Sequence, residues 1–174
     1  MNEQKTERIN QIQSSLQELS RLLHSVALHQ LWQPAPDAWS FRDIAAHMAT
    51  VEVECHLDRV RRISAGEQPH YDYYLNTGRD FSDVTLEQAL DQWAATRQEI
   101  IDLVNSLSEA QLALTGTHVT FDTVTVLDIL REMVKHDVGH IKELRGEVGK
   151  PGGEDVHHLK NHAKSSTLFS TQID

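Results

Sequence analysis

Apolar residues recur every three or four positions along four long stretches of the chain, which is the pattern of amphipathic α-helices. The first stretch runs from about Glu3 to Leu31. Its apolar face is formed by Ile9, Ile12, Leu16, Leu19, Leu23, Val26 and Leu31. The sequence PAPDAWS, residues 34–40, interrupts this spacing, so we expect the first helix to end before it.

Three further helices are predicted to begin at capping sequences. A hydroxyl side chain followed three residues later by an acid or an amide satisfies free backbone N–H groups at a helix start. The pairs with this spacing are Ser40 with Asp43, Thr85 with Gln88, and Thr125 with Asp128. The three helices are predicted to end near Gly66, Leu107 and Val148.

Four amphipathic helices of about twenty residues or more predict an all-α protein with a four-helix bundle. The loop at residues 65–84 is long enough to recross the bundle, so we expect an up-down-down-up order. Residues 108–112 predict a short extra turn, and residues 115–123 an irregular or weakly extended segment. We expect one domain over residues 1–149, followed by a polar C-terminal tail over residues 150–174.

Composition narrows the classes of function. The formal net charge of −10 argues against a surface for nucleic acid or for anionic lipid. No apolar run has the length of a membrane span, and the polar N-terminal sequence MNEQKTERINQ is unlike a signal peptide. The single cysteine, Cys55, excludes an internal disulfide and is typical of a reducing compartment. We therefore expect a cytoplasmic protein with no nucleic acid or membrane partner.

Three of the eleven histidines fall on inner faces of predicted helices. His136 and His140, in the sequence VKHDVGHIKEL, are one turn apart on the core-facing arc of the fourth helix. His47 lies on the inner face of the second helix, and all three reach similar depth if these helices are antiparallel. Three imidazoles plus an open position for water describe a catalytic zinc-type site. The alternative for each histidine is an ordinary hydrogen-bonded residue at the rim of the core.

Asp137 falls in the middle of the apolar arc that carries His136 and His140. A carboxylate at that position should be buried and therefore needs a charged or donor partner. We expect Asp137 to orient a histidine or a neighbouring cation, as groups behind metal ligands usually do. The alternative is a bundle rotated so that Asp137 reaches solvent.

Two segments resemble the DinB/YfiT-like superfamily of four-helix-bundle proteins. WSFRDIAAHMATVE is similar to the family's Trp-Ser opening with one histidine on helix two, and VTVLDILREMVKHDVGHIKELRGEVG to its H-x-x-x-H on the last helix. The resemblance covers about residues 5–149. It implies a divalent metal, commonly zinc or nickel, held by His47, His136 and His140. It also implies a homodimer that acts on a small-molecule substrate.

Characterised members of this family include S-transferases and an isomerase that use low-molecular-weight thiols such as bacillithiol or mycothiol. The resemblance therefore implies an enzyme whose metal activates a thiol or a water. The alternative is a non-catalytic bundle that binds a structural metal or a small ligand. The number of protein ligands discriminates between the two, since a closed fourth protein ligand favours a structural role.

Other metal-site patterns are disfavoured. The sequence HDVGH differs from the metalloprotease motif H-E-x-x-H by a shorter acid, and an all-helical chain offers no sheet edge to an extended peptide. A di-iron site requires Glu-x-x-His on core helices, whereas the match of Glu154 with His157 lies in the tail. The tail also contains His158 and His162 at ligand spacing, although no apolar stripe accompanies them.

Overall fold

The computed structural model of the protein describes residues 2–76 and 78–150. The tail residues Glu154, His157, His158 and His162 lie outside this range, and the division into a domain and a tail stays a prediction. The described part is mostly helical, with α1 at Asn2–Ser25, α2 at Phe41–Val51, α3 at Asp58–Ser64, α4 at Leu86–Ser106, α5 at Glu109–Leu112 and α6 at Val126–Glu147. None of these helices combines the length and the apolar character that crossing a bilayer requires.

The three predicted capping sequences are confirmed. Ser40, Thr85 and Thr125 each accept a hydrogen bond from the backbone N–H three residues on, and the side chain at that position accepts from the cap in return. The starts of α2, α4 and α6 are therefore decided by local sequence.

The first helix is shorter than the sequence pattern predicts. α1 ends at Ser25 and a 3-10 turn follows over Ala27–His29. The carbonyl of Gln30 accepts a hydrogen bond of 2.9 Å from the N–H of Arg42, so the chain has already turned back towards α2. Leu31, predicted for the buried face, is consequently exposed.

The second helix contains a wide turn that the sequence analysis did not predict. α2 continues into a π-helical turn at Glu52–Leu57 and then into α3 without a break. Such a turn holds one residue more than a regular α-helical turn, so it rotates every later side chain relative to the earlier ones.

A small sheet closes one end of the bundle. Its strands are β1 at His70–Tyr71, β2 at Thr115–His118 and β3 at Val124–Thr125. β1 and β2 are parallel, and β2 and β3 are antiparallel. β2 falls within the segment that was predicted to be weakly extended.

Two buried apolar clusters give the directions of the helices. The cluster nearer the sheet holds residues 9 and 12 of α1, 60 and 63 of α3, 100–104 of α4, and 126–133 of α6. The cluster at the other end holds residues 19 and 23 of α1, 41–49 of α2, 86–93 of α4, and 141 and 144 of α6. α1 and α6 therefore run away from the sheet, while α2–α3 and α4 run towards it, which is an up-down-down-up arrangement.

Candidate metal centre

The three candidate ligands come together between α2 and α6. His47 from α2 and His136 and His140 from α6 each offer one ring nitrogen, and these atoms all lie within 4.8 Å of one another. The Nε2 atoms of His47 and His136 are 3.0 Å apart. His47 and His136 are 89 positions apart in the chain. They lie at the same depth in the bundle because α2 and α6 run in opposite directions.

Neighbouring side chains hold two of the rings. The Nδ1–H of His47 donates to Oδ1 of Asn76 at 2.9 Å, and the Nδ1–H of His140 donates to Oε2 of Glu143 at 3.1 Å. Each bond leaves Nε2 as the nitrogen with the lone pair, because only one nitrogen of a neutral imidazole carries the proton. Outer acceptors of this kind are typical of histidines that bind metals. The ring of Trp39 also packs against His47, with centroids 4.5 Å apart.

Electrostatics favour the neutral form of the site. Burial, together with the nearby His140, lowers the pKa of His47 to about 3, although the hydrogen bond to Asn76 acts in the opposite direction. Burial also lowers the pKa of His136 well below its usual value, and the charges of neighbouring histidines act in the same direction. Both rings are therefore uncharged at neutral pH, and an uncharged imidazole is the form that binds a metal.

The geometry fits a divalent transition metal. Ligand atoms around a tetrahedral ion with bonds of about 2.0–2.1 Å lie about 3.3 Å apart, close to the 3.0 Å between Nε2 of His47 and Nε2 of His136. Imidazole nitrogen is a preferred donor for zinc, nickel, copper and iron. Cys55 is not part of the cluster: burial raises the pKa of its thiol to about 11, so it remains a protonated core residue.

The predicted burial of Asp137 is confirmed, and its charged partner is Arg97 of α4. Both side chains are fully buried, with Nη1 of Arg97 3.0 Å from Oδ2 of Asp137 and Nη2 3.3 Å from Oδ1. The hydroxyl of Ser15 donates to the same carboxylate at 2.5 Å. Burial raises the pKa of Asp137, whereas the Arg97 guanidinium lowers it. Asp137 thus pairs with a neighbouring cation, which is one of the two roles expected for it.

Sequence reasoning missed four side chains around the site: Glu52, His56, Asn76 and Arg97. The guanidinium of Arg97 also binds both carboxylate oxygens of Glu52, and Nδ1 of His56 lies 3.1 Å from Oε2 of Glu52. One signal for Arg97 was available, because this cation falls between Trp93 and Ile100 on the apolar face of α4. Asn76 belongs to the irregular loop before α4 and carries no comparable signal.

His56 was missed because the π turn changes its direction. In an uninterrupted α-helix, His56 would point roughly 180° away from His47. The extra residue in the π turn brings that angle to about 80°. The ring of His56 consequently lies beside that of His136, with centroids 6.0 Å apart.

Comparisons with known proteins agree with this architecture. Among curated proteins none matches the sequence significantly. The fold is similar to that of YfiT from Bacillus subtilis, at a TM-score of 0.70 and 18% identity over 86% of this chain and 90% of that chain. YfiT is described as a probable metal-dependent hydrolase with an unusual four-helix bundle topology. The sequence model of the DinB superfamily matches residues 11–144, and the chain therefore belongs to the DinB superfamily.

Proposed function

We propose that the protein is a metal-dependent enzyme that holds one divalent transition metal, zinc or nickel, through His47, His136 and His140. The observation that carries this proposal is the convergence of three ring nitrogens within 4.8 Å, two of them in rings whose Nδ1–H is already bound by Asn76 and Glu143. The pKa values of His47 and His136 are lowered, so both rings are uncharged and offer a lone pair to a divalent cation without like-charge repulsion.

The side chains around the site would have different roles in binding and using the metal. When bound, such a metal supplies Lewis acidity that lowers the pKa of a water or a thiol. The three histidines would hold the ion, and Asn76 and Glu143 would hold the rings of His47 and His140 in the metal-binding tautomer. The ring of Trp39, half-buried above His47, would limit the approach of bulk water from that side.

The nucleophile is proposed to be a water or a low-molecular-weight thiol, and the substrate a small molecule. A water would give hydrolysis, for example of an amide or ester, and YfiT is described as a probable metal-dependent hydrolase. A thiol such as bacillithiol or mycothiol would give S-transfer to an electrophilic substrate. A homodimer and a cytoplasmic location stay predictions.

One experiment separates this proposal from its alternatives. The protein would be purified without a metal-affinity tag, dialysed, and subjected to elemental analysis, for which we expect about one zinc or nickel per chain. The loaded protein would then be assayed with ester and amide substrates, and separately with bacillithiol and an electrophilic acceptor. Turnover that is lost on chelation and restored by the metal supports the proposal. Bound metal without turnover would favour the non-catalytic bundle, and a protein that takes up no metal would contradict the proposed site.

A further inference from the structure

The π turn between α2 and α3 presents a fourth histidine to the metal centre. The ring of His56 is buried and lies edge-on to that of His136, with an interplanar angle of 74°. Its Nδ1–H donates to Oε2 of Glu52 at 3.1 Å. Burial raises the pKa of Glu52, but the charge of Arg97 and the hydrogen bond from His56 lower it more, to about 2, so Glu52 is ionised. The lone pair of His56 is therefore on Nε2, which can accept a hydrogen bond.

His136 differs from the other two candidate ligands in its outer contacts. His47 and His140 donate their Nδ1–H groups to Asn76 and Glu143. Nδ1 of His136 is buried, and it has no hydrogen-bond partner among the residues that the structure describes. A buried ring nitrogen without a partner costs free energy once it carries a proton.

Metal binding would put a proton on that nitrogen. Because Nδ1 of His47 carries the proton of its ring, the 3.0 Å contact is a hydrogen bond from Nε2–H of His136 to Nε2 of His47. A metal bound through Nε2 of His136 requires the lone pair there, so the ring proton moves to Nδ1. Nδ1–H of His136 then becomes a buried donor that needs an acceptor.

We propose that His56 is this acceptor. Nδ1–H of His136 would donate a hydrogen bond to Nε2 of His56, and this bond would position the ring of His136. Two imidazoles joined by such a bond have centroids about 5 Å apart. The observed 6.0 Å thus requires an approach of about 1 Å, the scale of a side-chain adjustment. The bond would complete a chain from His136 through His56 and Glu52 to Arg97. This role rests on the proposed metal site and adds an outer partner for its third ligand.

The test compares zinc affinity and one proton resonance in matched variants. His56→Phe keeps a flat ring but removes the acceptor, whereas His56→Gln keeps an acceptor oxygen near the position of Nε2. His118→Phe is the control, because its ring lies at the sheet end of the bundle. Zinc affinity would be measured by competition with a chelator, and thermal unfolding of each metal-free variant would show whether it folds. NMR of the zinc-loaded protein would follow the Nδ1–H proton of His136.

Loss of an outer hydrogen bond typically weakens metal affinity about 10- to 100-fold, and we expect His56→Phe to show a loss of that size. His56→Gln should recover most of the affinity, and His118→Phe should match the wild type. The Nδ1–H proton of His136 should exchange slowly in the wild type and rapidly in His56→Phe. Zinc binding of equal strength in wild type and folded His56→Phe, with the proton unchanged, would overturn the inference alone. A wild type that binds neither zinc nor nickel would overturn the proposed function together with it.

Discussion

Arg97 of α4 and Asp137 of α6 form a fully buried ion pair, with Nη1 and Oδ2 3.0 Å apart. Glu52 of the π turn binds the same guanidinium. Two carboxylates therefore share one cation, and the group carries one net negative charge when all three are ionised. Besides burial and the neighbouring histidines, the charge of Arg97 lowers the pKa of His136, so this group lies within electrostatic range of the candidate metal centre, and its two carboxylates offset the positive charge there. The ion pair connects the core of the bundle to the site.

Removing Arg97 should destabilise the fold strongly. Arg97→Met leaves the carboxylates of Glu52 and Asp137 buried without their cation, and we expect a loss of about 3–5 kcal/mol in the free energy of unfolding. Arg61→Met removes an exposed ion pair with Glu99 and should change it by less than about 1 kcal/mol. Urea unfolding in the presence of a chelator measures both. Equal effects of the two substitutions would show that the buried pair has no special role.

Asp137→Asn tests the charge of this carboxylate without changing its size. The amide removes the negative charge opposite Arg97, so we expect about 1–3 kcal/mol of destabilisation and weaker metal binding. Asp102→Asn, an exposed change on α4, is the control. Chelator competition and urea unfolding give the two values. An Asp137→Asn variant with the wild-type metal affinity and stability would rule out a supporting role for Asp137.

Each candidate ligand should be required for metal retention. His47→Ala, His136→Ala and His140→Ala should each lose most of the bound metal, because two ligands remain where three are needed. They should stay helical, since the core is mainly aliphatic. His29→Ala on the exposed 3-10 turn should retain the metal, as should His158→Ala and His162→Ala. Elemental analysis and circular dichroism check these outcomes. Metal lost from the tail variants but kept in His47→Ala would move the site to the tail.

Asn76 should contribute to metal affinity without touching the metal. Asn76→Ala removes the acceptor for Nδ1–H of His47, and we expect affinity to fall about 10- to 100-fold. Asn76→Asp keeps an acceptor oxygen and should bind at least as tightly as the wild type. Asn105→Ala, on the exposed surface at the end of α4, should have no effect. The comparison is made by chelator competition. The same affinity for all four proteins would remove Asn76 from the site.

The metal-free protein should lose stability as the pH falls. The pKa of His47 is about 3 in the folded protein, whereas an unfolded histidine has a pKa of about 6.5. Below pH 6.5 the unfolded chain therefore binds a proton that the folded protein does not, which favours unfolding until the pH reaches the folded value. The pKa of His136 is lowered in the same direction. Urea unfolding between pH 7.5 and 5 should show this decline, and it should be shallower in a His47→Phe variant. A slope that this substitution leaves unchanged would contradict the assignment.

The sequence by itself determined the helical architecture and the three candidate ligands, because both depend on local spacing. Capping pairs at Ser40, Thr85 and Thr125 act over three residues, and the periodicity of apolar positions shows which face of each helix is buried. The spacing of His136 and His140 is likewise a property of a single helical turn. The direction of Asp137 could be predicted for the same reason, since α6 is regular throughout.

Only the tertiary structure decided which side chains surround those ligands. Asn76 comes from a loop whose path depends on its packing, and no periodicity relates it to His47. Arg97 meets Asp137 across the centre of the bundle, because α4 packs against α2 and α6 against α1 around the same core. The π turn rotates His56 towards His136, and an angular prediction made at a constant 100° per residue could not include that rotation. Local sequence sets the direction of a side chain on its own helix, whereas the partner that it meets depends on where the other helices and loops are packed.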